Sequence, residues 1–112
     1  MKSITDKAEV SIDFPDKFYM GSFGRESSFE VKVEPEEVLL QIVRGGDVRR
    51  QVAVHLHYYL LADILEDLGL GLAEHGSLDV SHRDALKDGV ETLRKALSKL
   101  KPKPPHRSSA PR

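Results

Sequence analysis

Val38-Leu39-Leu40-Gln41-Ile42-Val43-Arg44, Gly45-Gly46-Asp47 and Val48-Arg49-Arg50-Gln51-Val52-Ala53-Val54-His55-Leu56 form the stretch that decides the fold. Two runs rich in Val, Leu and Ile flank a glycine pair, which predicts a β-hairpin. Its register follows from burial. A two-residue Gly45-Gly46 loop would set Ile42 opposite Arg49 and Leu40 opposite Gln51, scattering apolar side chains over both faces. A loop one residue longer sets Val38, Leu40 and Ile42 beside Val48, Arg50, Val52 and Val54. A one-residue slip turns every side chain to the other face, so burial selects the odd loop. Leu39 and Val43 then lie on the second face with Gln41, Arg49, Gln51 and Ala53. That face is half apolar and half polar, as expected of a surface that is either covered by a partner subunit or simply half exposed.

Toward the N-terminus the period of two persists. Ala8, Val10, Ile12 and Phe14 alternate with polar residues until Pro15, and Lys17 to Phe23 is aromatic-rich and extended. Gly24 to Ser28 reads as a turn. Phe29, Val31 and Val33 alternate with charged residues before Pro35, whose fixed φ and missing N–H make a turn.

Toward the C-terminus the period changes at His57. Tyr58, Leu61, Leu65 and Leu68 make one helical stripe, with Asp63, Glu66 and Asp67 opposite. Gly69 and Gly71 weaken this helix by about 1 kcal/mol each, so its end is expected between Gly69 and Gly76. Ser77 to Ser81 reads as a linker, with Ser81 and Asp84 as a capping box. Leu86, Val90, Leu93, Leu97 and Leu100 then step by four and three along a second helix. Lys87–Glu91 and Glu91–Lys95 are expected as i,i+4 pairs on its outside. Pro102, Pro104 and Pro105 forbid continuation.

Strands followed by helices indicate an α+β domain: an antiparallel sheet of four or five strands, then two C-terminal helices packed on one face. One domain is expected over residues 1–101, with a disordered proline-rich basic tail over 102–112. The composition agrees, with 39% hydrophobic and 31% charged residues in 112. The chain contains no cysteine, so disulfides and thiolate chemistry are excluded. No secretory signal and no bilayer-length apolar run is present, which points to a cytoplasmic protein with no membrane contact.

The net charge of −1 conceals a division. Seven of the 17 basic residues lie between Arg94 and Arg112, where there is no acid, leaving 10 against all 18 acids in positions 1–93, a balance of −8. Lys99, Lys101, Lys103 and Arg107 make a tail that, if it binds anything, binds anions with salt-dependent, sequence-blind affinity; folding back on the acidic body is equally cheap, and a solubility role is the simpler reading. The acidic remainder and the lack of interleaved aromatics argue against nucleic acid as the partner.

Other constellations were weighed for chemistry. His55-Leu56-His57 puts two imidazoles on one face of a strand, where they are candidate metal ligands. This HxH resembles the first metal motif of cupins. The resemblance is confined to these residues, without the family's glutamate or a third histidine on a later strand. An ordinary strand-end histidine pair is the simpler reading. Gly21-Ser22-Phe23-Gly24-Arg25 lacks the Gly-Lys-Ser/Thr ending of a phosphate loop. Asp63, Glu66, Asp67 and Glu74 read as a solvated helix face.

The expectation is therefore a small non-enzymatic protein without cofactors, acting through protein contact or self-association, as in a homodimer. Leu39, Val43, Leu70 and Leu72 are its candidate interaction surface. Two alternatives differ in kind. One is a ligand or metal site, or an enzyme, using His55, His57, Tyr58 and Arg50; the other is weak nucleic-acid binding through the tail.

Overall fold

The computed structural model describes residues 1–46 and 49–101. Asp47 and Val48 lie outside the described residues, as does the tail with Lys103 and Arg107. The chain divides into two compact units, Met1–Ile64 and Leu65–Arg112.

The fold is α+β. The first unit holds strands β1 (Lys2–Ser3), β2 (Ala8–Phe14), β3 (Lys17–Phe23), β4 (Ser27–Val33), β5 (Glu37–Arg44) and β6 (Arg50–His57). They form a four-stranded antiparallel sheet in the order β1-β4-β5-β6 and a two-stranded ribbon, β2-β3. The ribbon turns at Pro15-Asp16, joining Phe14 to its partner Lys17. Gly24 accepts from the Ser27 amide at 2.9 Å, a tight turn leading from the ribbon into the sheet.

The central hairpin corrects the expected register while keeping its parity. Arg44 pairs with Arg50, so the loop spans residues 45–49 instead of 45–47, and β6 starts at Arg50 instead of Val48. The physical gain is visible in the pairs. A three-residue loop would have set Ile42 against Arg50. The longer loop gives Ile42–Val52, Leu40–Val54 and Val38–Leu56. Cross-strand apolar pairs of this kind each contribute roughly 0.2–1 kcal/mol. Gly46, at φ +115°, supplies a conformation in which a side chain would be strained. Arg44, beside Arg50, is offset by Glu26, whose carboxylate is 3.3 Å from the guanidinium.

Strand β4 completes the pattern with Phe29–Ile42, Val31–Leu40 and Val33–Val38. One face of the sheet thus carries three rows of three apolar side chains: Phe29-Ile42-Val52, Val31-Leu40-Val54 and Val33-Val38-Leu56. None of the nine is buried. Among the described residues the only buried hydrophobic side chain is Phe23, 3% exposed, at the end of the ribbon. Ser27 is also buried, and its hydroxyl has no partner among the described residues.

Helix α1 (Tyr58–His75) runs through Gly69 and Gly71. Strong helix formers on either side carry it past both glycines. Gly76 ends it: its amide donates to the Leu72 carbonyl at 2.8 Å, and a Cβ there would collide with that carbonyl oxygen. Helix α2 (Val80–Lys99) starts earlier than the linker reading allowed. Its N-cap is Asp79, whose carboxylate accepts from the His82 amide at 2.8 Å, and not Ser81. Aspartate at this position satisfies one of the free N–H groups of the first turn.

Glu91 was expected to pair with Lys87 and Lys95. It instead grips Arg94, with Nη2–Oε1 at 2.7 Å and Nε–Oε2 at 3.0 Å. The planar guanidinium fork matches a carboxylate better than an ammonium does. Neither helix has a buried residue. In α2 and its C-cap, the stripe from Leu86 to Leu100 stays between 43% and 66% exposed.

Candidate functional site

The register of β6 determines which residues meet at its end. His55 and His57 share the second sheet face, and Glu37 on β5 is the direct partner of His57. The Glu37 carboxylate sits between the two rings, with Oε1 3.0 Å from His55 Nδ1 and Oε2 3.2 Å from His57 Nε2. A carboxylate only accepts, so in its hydrogen bond to Glu37 the His55 Nδ1 is the donor. Both histidines are exposed and Glu37 is half-buried. The cluster can hold a proton or present two imidazoles, and it fastens β5 to the edge strand.

Tyr58 follows at once, at the start of α1. Its hydroxyl donates to the Glu34 carbonyl at 2.7 Å, tying the first helical turn to the β4–β5 turn. Arg50 is elsewhere. It lies on the apolar face at the other end of β6, seven residues or roughly 23 Å of strand from His57. The structure thus gathers His55, His57 and Tyr58 at one end of the sheet and sets Arg50 apart. Glu37 was missed by sequence reasoning, although extending the hairpin ladder one pair beyond Val38 would have placed it on the histidine face. Among the described residues no group of three or more His, Cys, Asp or Glu is placed to hold a metal ion.

Arg50 lines a different feature, an open groove of about 390 Å³ between the ribbon and the start of β6. Val10, Ile12, Tyr19 and Phe23 form its apolar side, facing Arg50 and Val52. The Gly21–Arg25 segment belongs to the end of β3 and the turn after it, and the next element is a strand instead of a helix.

The proposed contact residues fall on two elements. Leu39 stands between Lys32 and His55, and Val43 between Ser28 and Gln51, on the mixed sheet face. Leu70 and Leu72 are exposed on α1. The carboxylates Asp63, Glu66, Asp67 and Glu74 are exposed on the same helix. Lys99 closes α2 and Lys101 follows it, both exposed.

Among the described residues three groups have shifted titration, all on or beside α2. The His82 amide, donating to the Asp79 carboxylate, holds that carboxyl below the usual range. The Arg94 side chain does the same to Glu91, and Glu91 raises Arg94 in return. These are structural ties of a helix. No described helix is long and apolar enough to cross a membrane. Comparison with protein-family models, characterised proteins and solved structures finds no match for this chain.

Proposed function

We propose that this chain works by protein contact without catalysis, and that it associates with itself. The observation that carries this reading is the nine-residue apolar grid on the four-stranded sheet, contiguous across three strands, with Val31, Val33 and Val54 exposed and the other six half-buried. Scattered exposed leucines are ordinary on any protein surface. A contiguous apolar face is different, because such patches mark surfaces that another molecule covers. The second sheet face adds Leu39 and Val43, and α1 adds Leu70 and Leu72, as further contact residues. Self-association also suits the charge. At a net charge of −1, two copies repel each other little over long range.

The test is molar mass in solution, by light scattering across a dilution series. The expected result is a mass above 12.5 kDa that falls toward it on dilution. A mass of 12.5 kDa at every concentration overturns the reading.

A further inference from the structure

We infer that the groove between the β2-β3 ribbon and the start of β6 binds a small carboxylic acid with an apolar body, a short-chain or single-ring monocarboxylate. This goes beyond protein contact and does not depend on it. The groove lies wholly within the first unit, so one chain builds it.

Its two walls are opposite in character. The ribbon ladder pairs Val10 with Gly21 and Ile12 with Tyr19, which puts these four residues on one face. That face and Phe23 form the apolar wall, only half covered, with Ile12 45% and Tyr19 53% exposed. The Tyr19 ring stands edge-on to Phe14, centroids 6.2 Å apart, which holds it in place before any ligand arrives. The other wall carries Arg49 and Arg50, and among the described residues no carboxylate lines the groove. Glu9 and Asp13 alternate with Val10 and Ile12, so they belong to the opposite face of the ribbon. Two cations without an acid thus meet in a part of the chain that is otherwise acidic.

Arg50 also breaks the pattern of its own strand. Val52, Val54 and Leu56 follow it on the same face of β6, all apolar, and its cross-strand partner is Arg44. Like charges directly opposite each other destabilise a sheet. Glu26 offsets one of the two, with its carboxylate 3.3 Å from Arg44 Nε, and Arg50 has no ion pair among the described residues. A residue that costs stability locally is expected where a site needs it. Arg49 is steadied beside it, donating from Nη2 to Gln51 Oε1 at 3.2 Å.

The ligand class follows from the lining. A guanidinium meets a carboxylate through two parallel N–H···O bonds, while an apolar body covers Ile12, Tyr19 and Phe23. Sulfate or phosphate would satisfy the arginines and leave the apolar wall in water. A volume of about 390 Å³ is near the lower end for small-molecule sites, which keeps the body short.

The test titrates the full chain with octanoate and follows the backbone amides by NMR. Saturable shifts are expected at Val10, Ile12, Gly21 and Val52. Binding should tighten about fourfold for each methylene added from hexanoate to octanoate. Octanol lacks the charge and sulfate lacks the body, so each should bind about tenfold more weakly or worse. Arg50→Gln should weaken octanoate by about tenfold or more, the scale of one charge-assisted hydrogen bond. The same variant should be at least as stable to urea without ligand, because it relieves the pair with Arg44. Arg49→Gln repeats the binding measurement from the loop. Octanol or sulfate binding as tightly as octanoate overturns the inference, as does octanoate affinity unchanged by both arginine substitutions. Shifts centred on the Leu40 grid or the helical stripes, with none in the groove, would show adsorption to exposed apolar surface and also overturn it. Groove shifts that appear on concentrating the chain without ligand would give the groove to a second copy and discard the carboxylate.

Discussion

Leu40 and Leu93 occupy corresponding places in the two kinds of structure. Leu40 is at the centre of the sheet grid, half-buried, with Val31 and Val54 on either side. Those neighbours come from the strands before and after β5 in the chain, so the sheet's apolar contacts exist only when three strands are in register. Leu93 is at the centre of the α2 stripe and stays 43% exposed. Its nearest stripe neighbours, Val90 and Leu97, belong to its own helix. The sheet therefore draws its order from contacts distant in sequence. The helices draw theirs from local terms: propensity, the Asp79 cap, the Glu91–Arg94 pair and whatever covers their stripes. Isolated helices of this length are marginal in water when nothing packs on them, so a partner changes them more than it changes the sheet.

The largest effect should come from the long-range side. Leu40→Ala removes the centre of the grid and is expected to destabilise the sheet by about 2 kcal/mol, the low end for leucine truncation because the site is only half-buried. Urea unfolding followed through the β4, β5 and β6 amides by NMR measures it. A loss below about 0.5 kcal/mol, the scale of ordinary surface substitutions, would mean the grid contributes little and would erase the contrast.

The helices should respond in the opposite direction to a purely local change. Gly69→Ala adds a Cβ into open space on α1. It is expected to stabilise the helix by about 1 kcal/mol, through propensity alone. Ellipticity at 222 nm and the thermal midpoint should both rise. A fall would show that something beyond propensity acts at Gly69, which would sharpen the comparison.

The same division explains what could be read in the sequence. The alternation of Phe29, Val31 and Val33 and the stripe from Leu86 to Leu100 specify element type, because period is a local property. The parity of the hairpin was legible too, since a single slip would have exposed every apolar residue. The loop length was not, because three and five residues have the same parity; choosing between them requires comparing Ile42–Arg50 with Ile42–Val52. The division of the strands into sheet and ribbon depends on tertiary placement and leaves no local trace. Helix α1 outran its glycines because propensity is weighed over a whole segment, and only Gly76 meets a steric stop. The His55–Glu37–His57 clamp was half legible. The histidine spacing is visible along one strand, whereas the carboxylate comes from another strand and needs the register. Asp79 was hidden by the more familiar pattern of Ser81 and Asp84.

That cap gives the smallest of the expected effects and one with a definite sign. Folding lowers the Asp79 pKa because the ionised carboxylate accepts from the His82 amide. The stabilisation is therefore fully present above the ordinary carboxylate range and is lost as pH falls through the lowered value. Glu91, lowered by Arg94, adds in the same direction. Arg94 is raised, so its share is lost only in strongly alkaline solution. The helicity of α2 should be flat from mildly acid to mildly alkaline pH and fall at the acid end. Asp79→Asn keeps a side-chain acceptor without the charge. It should leave neutral-pH helicity nearly unchanged and make the acid limb shallower, with only the Glu91 contribution left. The His82 amide shift, followed by NMR against pH, reports the cap directly. An acid limb identical in Asp79→Asn and the unaltered chain would show that the charge on the cap carries none of α2's stability, leaving the helix to propensity and the Glu91–Arg94 pair.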